Sequence, residues 1–230
     1  MSRNQVFAVF GLGKFGMEIC KTLSESGERI IAVDYNENTI DKVKTMVTYA
    51  LQIDSTDEES LKNASLDNVD IAVVAIGDNI EASILTTTIL KEKLAIPYVI
   101  ARGISEIHGQ ILKKVGADEV IILEIDEGRR IANKLLSPHV LERIPISNNQ
   151  TLAEVLIGNN FHDKTLLKLD IRNRFKVNVV SIKRNEIEID EIGNPITREL
   201  VITPTPQQKL LSGDILVVIG RDEDINQLKG

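Results

Sequence analysis

A chain of 230 residues with a single cysteine, Cys20, cannot form a disulfide within itself. The sequence supplies Cys20 with no partner base, and its helical spacing turns it inward, so it is expected to fill core and stay unreactive. Histidine is nearly as scarce, and His108, His139 and His162 have no metal-ligand spacing to one another or to Cys20. No apolar run approaches the roughly 18 residues of a membrane span. The start Met1-Ser2-Arg3-Asn4-Gln5 lacks a signal-peptide apolar segment, so a cytoplasmic location is expected. Excess basic charge is also missing. A net charge of −7 argues against a nucleic-acid partner and disfavours a DNA-binding redox sensor, because phosphate binding needs a basic surface. What remains is 43% hydrophobic and 27% charged, an ordinary soluble composition long enough for one large domain or two small ones.

The most informative stretch is Val6-Phe7-Ala8-Val9-Phe10-Gly11-Leu12-Gly13-Lys14-Phe15-Gly16, a buried-strand run emptying into a glycine-rich turn. Gly11 permits the tight turn, Gly13 has no Cβ to block an approaching pyrophosphate, and Gly16 lets the next helix pack closely. The phosphates of a nucleotide would sit on the free N–H groups of that helix's first turn. Met17, Ile19, Cys20 and Leu23 give the following segment one apolar helical face, Gly27 ends it, and Arg29 to Val33 is a second strand closed by Asp34. Asp34 lies 23 residues after Gly11, near the roughly 20 expected of an acid that accepts from ribose hydroxyls. Together these predict a dinucleotide or adenine-nucleotide site.

To about residue 125, strands and helices alternate strictly, predicting an α/β fold of Rossmann type: a doubly wound parallel sheet with helices on both faces. Strands are expected at Val6 to Phe10, Arg29 to Val33, Tyr49 to Ile53, Ile71 to Ala75, Tyr98 to Ala101 and Glu119 to Ile122. Helices should start near Met17, Asn36, Asp57, Asn79, Glu106 and Asp126, with Asn36 and Ser55-Thr56 as start signals. Ligands bind at the carboxyl ends of such strands, which carry Asp34-Tyr35, Asp54-Ser55, Ala75-Ile76-Gly77 with Asn79, Arg102 and Glu124. Asp54 and Ser55 can approach an adenine or ribose edge, or simply cap the next helix. Ala75 to Gly77 offer small residues and bare backbone. Arg102 can neutralise phosphate or stand solvated. Lys14 lies where a dehydrogenase needs no charge but where a cation reaches a phosphate beyond the pyrophosphate.

Residues 126–143 read as a helix that outlasts the alternation, kinked at Ser137-Pro138, with Ile131, Leu135 and Val140 left for a partner chain. The polar Ser147-Asn148-Asn149-Gln150 marks a boundary. The expected division is a nucleotide-binding domain over 1–125, a crossover helix and linker over 126–147, and a small α+β ligand-binding domain over 148–230. That last domain should contain strands at Thr151 to Gly158, Val177 to Lys183, Glu186 to Asp190, Glu199 to Thr203 and Asp214 to Ile219. A turn is expected at Gly193-Asn194-Pro195, with helices at Thr165 to Phe175 and Glu223 to Leu228.

Several stretches acquire a further meaning together: Val9 to Gly16, Ala32-Val33-Asp34, Gln52 to Asp57, Ala75-Ile76-Gly77 with Asn79, Gly116-Ala117-Asp118, Glu124, Lys164-Thr165-Leu166 through Arg172, Val179 to Arg184, and Gly213 to Gly220. In these the chain resembles the RCK (regulator of potassium conductance) family, specifically the cytosolic regulatory subunits of Ktr/Trk-type potassium uptake systems. The resemblance covers nearly the whole chain. It implies a non-enzymatic gate that binds ATP or ADP, with Asp34 on the ribose and Lys14, where the family often has arginine, near the γ-phosphate. Glu124 would hold Mg2+, another divalent ion or sodium against the phosphates of a dimer. Homodimers would assemble into an octameric ring docked on a separate membrane-embedded potassium-translocating subunit, making the protein peripheral to the membrane. In the C-terminal domain, Arg172, Asn178 and Pro204 match positions that bind cyclic di-AMP in some relatives.

The rival reading is an NAD-dependent oxidoreductase, which the glycine turn and Asp34 fit equally well. Against it, no histidine or Lys-Tyr pair stands at a strand end with a proton-transfer partner, and the second domain reads as too small and strand-poor for a substrate cleft. NAD(H) as a regulatory ligand stays open, as does regulation of another transporter or a soluble enzyme.

Overall fold

The structure, a computed structural model, describes residues 5–189, 192 and 194–228. Met1 to Asn4, Asp190 and Gly193, on which some expectations above rest, lie outside the described residues. The chain divides into two compact units after Gly128.

In the first unit, β1 (Val6–Phe10), β2 (Arg29–Asp34), β3 (Tyr49–Gln52), β4 (Ile71–Val74), β5 (Tyr98–Arg102) and β6 (Glu119–Ile121) form a parallel sheet. Its order is β3-β2-β1-β4-β5-β6. The helices are α1 (Lys14–Glu25), α2 (Glu37–Val43), α3 (Glu58–Asn63), α4 (Ile80–Thr88), α5 (Glu106–Lys114) and α6 (Leu123–Leu136), with a π-helical turn at Ile89–Lys93 continuing α4. The strands are apolar without alternation because both sheet faces are covered. Ala8, Phe10, Val33 and Val74 belong to one buried cluster, while Val9, Ala32 and Val73 belong to another. Burying each such aliphatic or aromatic side chain contributes about 1.5–3 kcal/mol. Cys20 is fully buried in the second cluster, and burial pushes its thiol up to about 11, which makes it the inert filler its position predicts.

The second unit is an antiparallel sheet of β7 (Val140–Ser147), β8 (Gln150–Leu156), β9 (Asn178–Ile189), β10 (Pro195–Ile202) and β11 (Ile215–Gly220) in the order β10-β9-β11-β8-β7. It carries the short helices α7 (Leu166–Leu169), α8 (Ile171–Phe175) and α9 (Asp222–Ile225). Phe161, Leu169, Val177, Ile182, Leu210 and Leu216 are among the residues of its core.

Five expectations change. The helix expected over 126–143 starts at Leu123 and stops at Leu136, before Ser137-Pro138, because proline cannot continue it. Val140 does not wait for a partner chain: it pairs with Val155 and is buried in the second unit's own core. Ser147 to Gln150 is then the turn of the β7–β8 hairpin and not a linker. The helix expected over Thr165 to Phe175 is two helices, broken at Asp170, whose φ of 46° is left-handed. With five strands, this unit is not strand-poor. Among the described residues, no helix is long and apolar enough to cross a membrane.

Candidate functional site

Strand order reverses between β1 and β4, and the crevice beyond their carboxyl ends is where an open α/β sheet accepts a ligand. A cavity of about 850 Å³ opens there, lined by Gly11, Gly13, Asp34, Tyr35, Asp54, Ser55, Ala75, Ile76, Gly77, Asn79 and Arg102. Apart from Glu124, the strand ends named from the sequence converge on one space.

The glycine turn is built as its spacing requires. Gly11 has φ +87°, and a Cβ on it would lie 2.9 Å from the Ile76 side chain. A Cβ on Gly16 would fall 2.0 Å from the Gly11 carbonyl oxygen, so this glycine seats α1 directly on the turn. A Cβ on Gly13 would meet nothing within 4 Å. Open space therefore lies beside the first turn of α1, whose leading N–H groups have no acceptor within the helix.

Asp34 holds the turn to the sheet. Its Oδ2 accepts from the Leu12 N–H at 2.7 Å and its Oδ1 from the Asn36 N–H at 2.9 Å. Each oxygen retains a lone pair for a further donor such as a ribose hydroxyl. Tyr35 stands 72% exposed at the rim.

The polar residues after β3 and β4 divide their roles. Asp54 Oδ1 accepts from the Thr56 N–H and hydroxyl at 3.0 and 2.7 Å, and Ser55 Oγ pairs with Thr86 Oγ1 at 2.8 Å. Neither residue caps α3. That role falls to Asp57, which accepts from the Glu59 N–H at 3.0 Å. Asn36 makes no side-chain cap bond to α2, whereas Asn79 caps α4 by accepting from the Ala82 N–H at 3.0 Å. Ala75 is fixed through its N–H to the Phe10 carbonyl at 2.7 Å.

Arg102 ends β5 on the cavity wall, and its Nη2 donates to Glu124 Oε1 at 2.7 Å. Glu124 is in the first turn of α6, and its side chain is 60% exposed. Its own backbone N–H and the Arg102 guanidinium hold its carboxyl below the usual glutamate range. Among the described residues no three acidic, histidine or cysteine side chains gather as a metal site, and the Glu124 carboxylate is ion-paired with Arg102.

Three loop residues stay off the cavity wall. Lys14 is exposed on α1, Phe15 packs against the β1–β2 core, and Gly16 is buried. In the second unit, Arg172 is exposed on α8, Asn178 is exposed at the start of β9, and Pro204 is half-buried after β10. Asp78, within the strand end Ile76-Gly77-Asp78-Asn79 named from the sequence, also lines the cavity, whereas sequence reasoning missed Thr39 and Ala82, in the first turns of α2 and α4. Their signal was adjacency to strand ends already named.

Residues 7–123 match the TrkA-N domain and residues 152–229 the TrkA-C domain. The Ktr system potassium uptake protein C of Bacillus subtilis (strain 168) is 39% identical over 223 residues, covering 97% of this chain and 95% of that protein. Among solved structures, the GsuK channel superposes with a TM-score of 0.66 at 17% identity, covering 97% of this chain but only 38% of the channel chain. The same channel bound to NAD gives a TM-score of 0.59 at 17% identity, again over 97% and 38%.

Proposed function

The chain belongs to the RCK family, with a TrkA-N and a TrkA-C domain, and from that premise we propose that it is a nucleotide-sensing, non-catalytic regulatory subunit of a potassium uptake system. The observation that carries this reading is the cavity at the β1–β4 reversal. There a glycine turn, an aspartate with lone pairs to spare and an arginine face one space. Its chemistry is that of a phosphate-bearing ligand with a ribose.

In this reading the backbone of Gly11 and Gly13 and the first turn of α1 take the phosphates of ATP or ADP, and Asp34 takes the ribose. Tyr35, Asp54 and Ser55 border the base, and Ala75, Ile76, Gly77 and Asn79 form the opposite wall. Arg102 neutralises phosphate, and Lys14 reaches what lies beyond the pyrophosphate. Glu124 takes part in cation binding only together with phosphate oxygens, since a single ion-paired carboxylate is a poor Mg2+ site. The protein works as a homodimer within an octameric ring on a membrane-embedded potassium-translocating subunit, lying on the cytoplasmic face. In the C-terminal domain Arg172, Asn178 and Pro204 bind cyclic di-AMP.

A second reading, NAD(H) as the regulatory ligand, is favoured by the fold likeness to the NAD-bound GsuK channel. The test is co-expression with a Ktr-type membrane subunit in a bacterium lacking other potassium uptake. Co-purification of the two chains and potassium uptake that depends on this one are expected. Failure to co-purify together with uptake indifferent to this chain would overturn the proposal.

A further inference from the structure

The Arg102 guanidinium has three features that its ion pair leaves unexplained. It lies flat against the chain at Gly77: a Cβ there would sit 2.5 Å from Nη1, 2.6 Å from Cζ and 3.0 Å from Nε. It faces the cavity that also holds Gly11, Gly13 and Asp34. Its Nε is buried and makes no hydrogen bond, an arrangement that leaves a strong donor unsatisfied at a cost.

A guanidinium takes an anion two-pronged along only two edges, Nε with Nη2 or Nη1 with Nη2, because Cδ blocks the third. Nη2 belongs to both. That nitrogen already donates to Glu124. Nη2 carries one hydrogen on each of those edges, so an anion that reaches this guanidinium from the cavity stands beside the Glu124 carboxylate on a single cation, and the claim of each on that cation weakens the other's.

We infer that Arg102 is a shared guanidinium, held by Glu124 when the cavity is empty and drawn to a ligand phosphate when it is filled, so that Glu124 and the phosphate compete for it. This rests on the nucleotide reading of the same cavity and adds the coupling. Glu124 stands in the first turn of α6, so a ligand that claims Arg102 releases the start of the helix that leads into the second unit. Only a phosphate-bearing ligand does this; a nucleoside lacks the competing charge.

Calorimetric titration of ADP and of adenosine into the full chain, in EDTA and at fixed salt, tests the competition. Glu124→Gln removes the competitor and is expected to tighten ADP about two- to fivefold, the scale of a partly exposed ion pair, with adenosine unchanged. Arg102→Ala is expected to weaken ADP, and in that background Glu124→Gln should change ADP affinity no further. Should Arg102→Ala fail to fold, Arg102→Gln takes its place in the cycle. Unchanged or weaker ADP binding by Glu124→Gln, or an equal gain with and without Arg102, would overturn the competition. Absence of ADP, ATP and NAD binding in the unaltered protein would instead overturn the nucleotide reading itself.

Discussion

Lys14 and Arg102 are both cations near the glycine turn, but their circumstances differ. Lys14 is exposed on α1, one residue past Gly13, whereas Arg102 is largely buried and paired. ATP and ADP share every contact up to the β-phosphate, so the two can be told apart only beyond it. Lys14→Ala is therefore expected to reduce the preference between them by up to about tenfold, equivalent to about 1.4 kcal/mol. Parallel titration of the two nucleotides reads this, and an unchanged preference removes Lys14 from the role. A different kind of charge holds the second unit. Asp214 is fully buried and accepts from Arg184 Nε and Nη2, both at 2.8 Å, and from the Leu211 N–H at 2.8 Å. Arg184→Ala would strand that carboxylate in the core, at a cost of about 3 kcal/mol. The urea midpoint should fall accordingly, and a midpoint within error of the unaltered protein would show that the pair is not structural.

Between elements, the connection that ties α4's extension to the sheet runs through Asp118. Its Oδ2 accepts from Lys91 Nζ at 2.7 Å and from the Val99 N–H at 2.7 Å, joining the π-helical turn, the approach to β6 and the start of β5. Partial burial works against its charge, and the Lys91 and Val99 donors outweigh it, holding the carboxyl below the ordinary 3.8. The unfolded chain therefore takes up the proton first, so the stability from Asp118 is present above pH 3.8 and fades as pH falls below it. Asp118→Asn is expected to cost about 1 kcal/mol at neutral pH, and the gap to the unaltered protein should narrow in thermal melts below that value. A pH-independent gap would contradict the assignment. Elements differ in how plainly their sequence announces them. The six parallel strands were legible because burial on both faces leaves continuous apolar runs bounded by turn residues, as at Ile30 to Val33. β7 was not, since Val140 follows a helical pattern directly and its spacing suits either period until Ser137-Pro138 is read as a stop. The break at Asp170 was hidden because a non-glycine residue adopts the left-handed conformation. The cavity's residues were legible as strand ends. The Arg102–Glu124 pair was not, because it depends on β5 and β6 lying side by side, with Arg102 opposite Ile121.

For the whole molecule, the chain passes from the parallel-sheet unit into the antiparallel unit along α6. Ile131, Leu135 and Leu136 on that helix are 48%, 75% and 78% exposed, and α6 has no buried residue. Apolar side chains in this state suit burial against further copies of the chain, as the proposed dimer and ring require. The proposed potassium regulation and the Arg102 competition both depend on one prior proposal, that the β1–β4 cavity holds a nucleotide. Gly13 offers a clean way to test it, because its φ of −64° and ψ of −174° suit any residue and nothing lies within 4 Å of where its Cβ would be. Gly13→Asp should fold normally and place a carboxylate where the phosphates belong. Native mass spectrometry of both proteins after incubation with ATP, ADP and NAD is the most direct measurement. One nucleotide per chain is expected on the unaltered protein, in an oligomer whose mass is a multiple of 25.5 kDa, and none on Gly13→Asp. An unaltered protein that carries no nucleotide, or a Gly13→Asp protein that carries it equally well, would contradict that proposal.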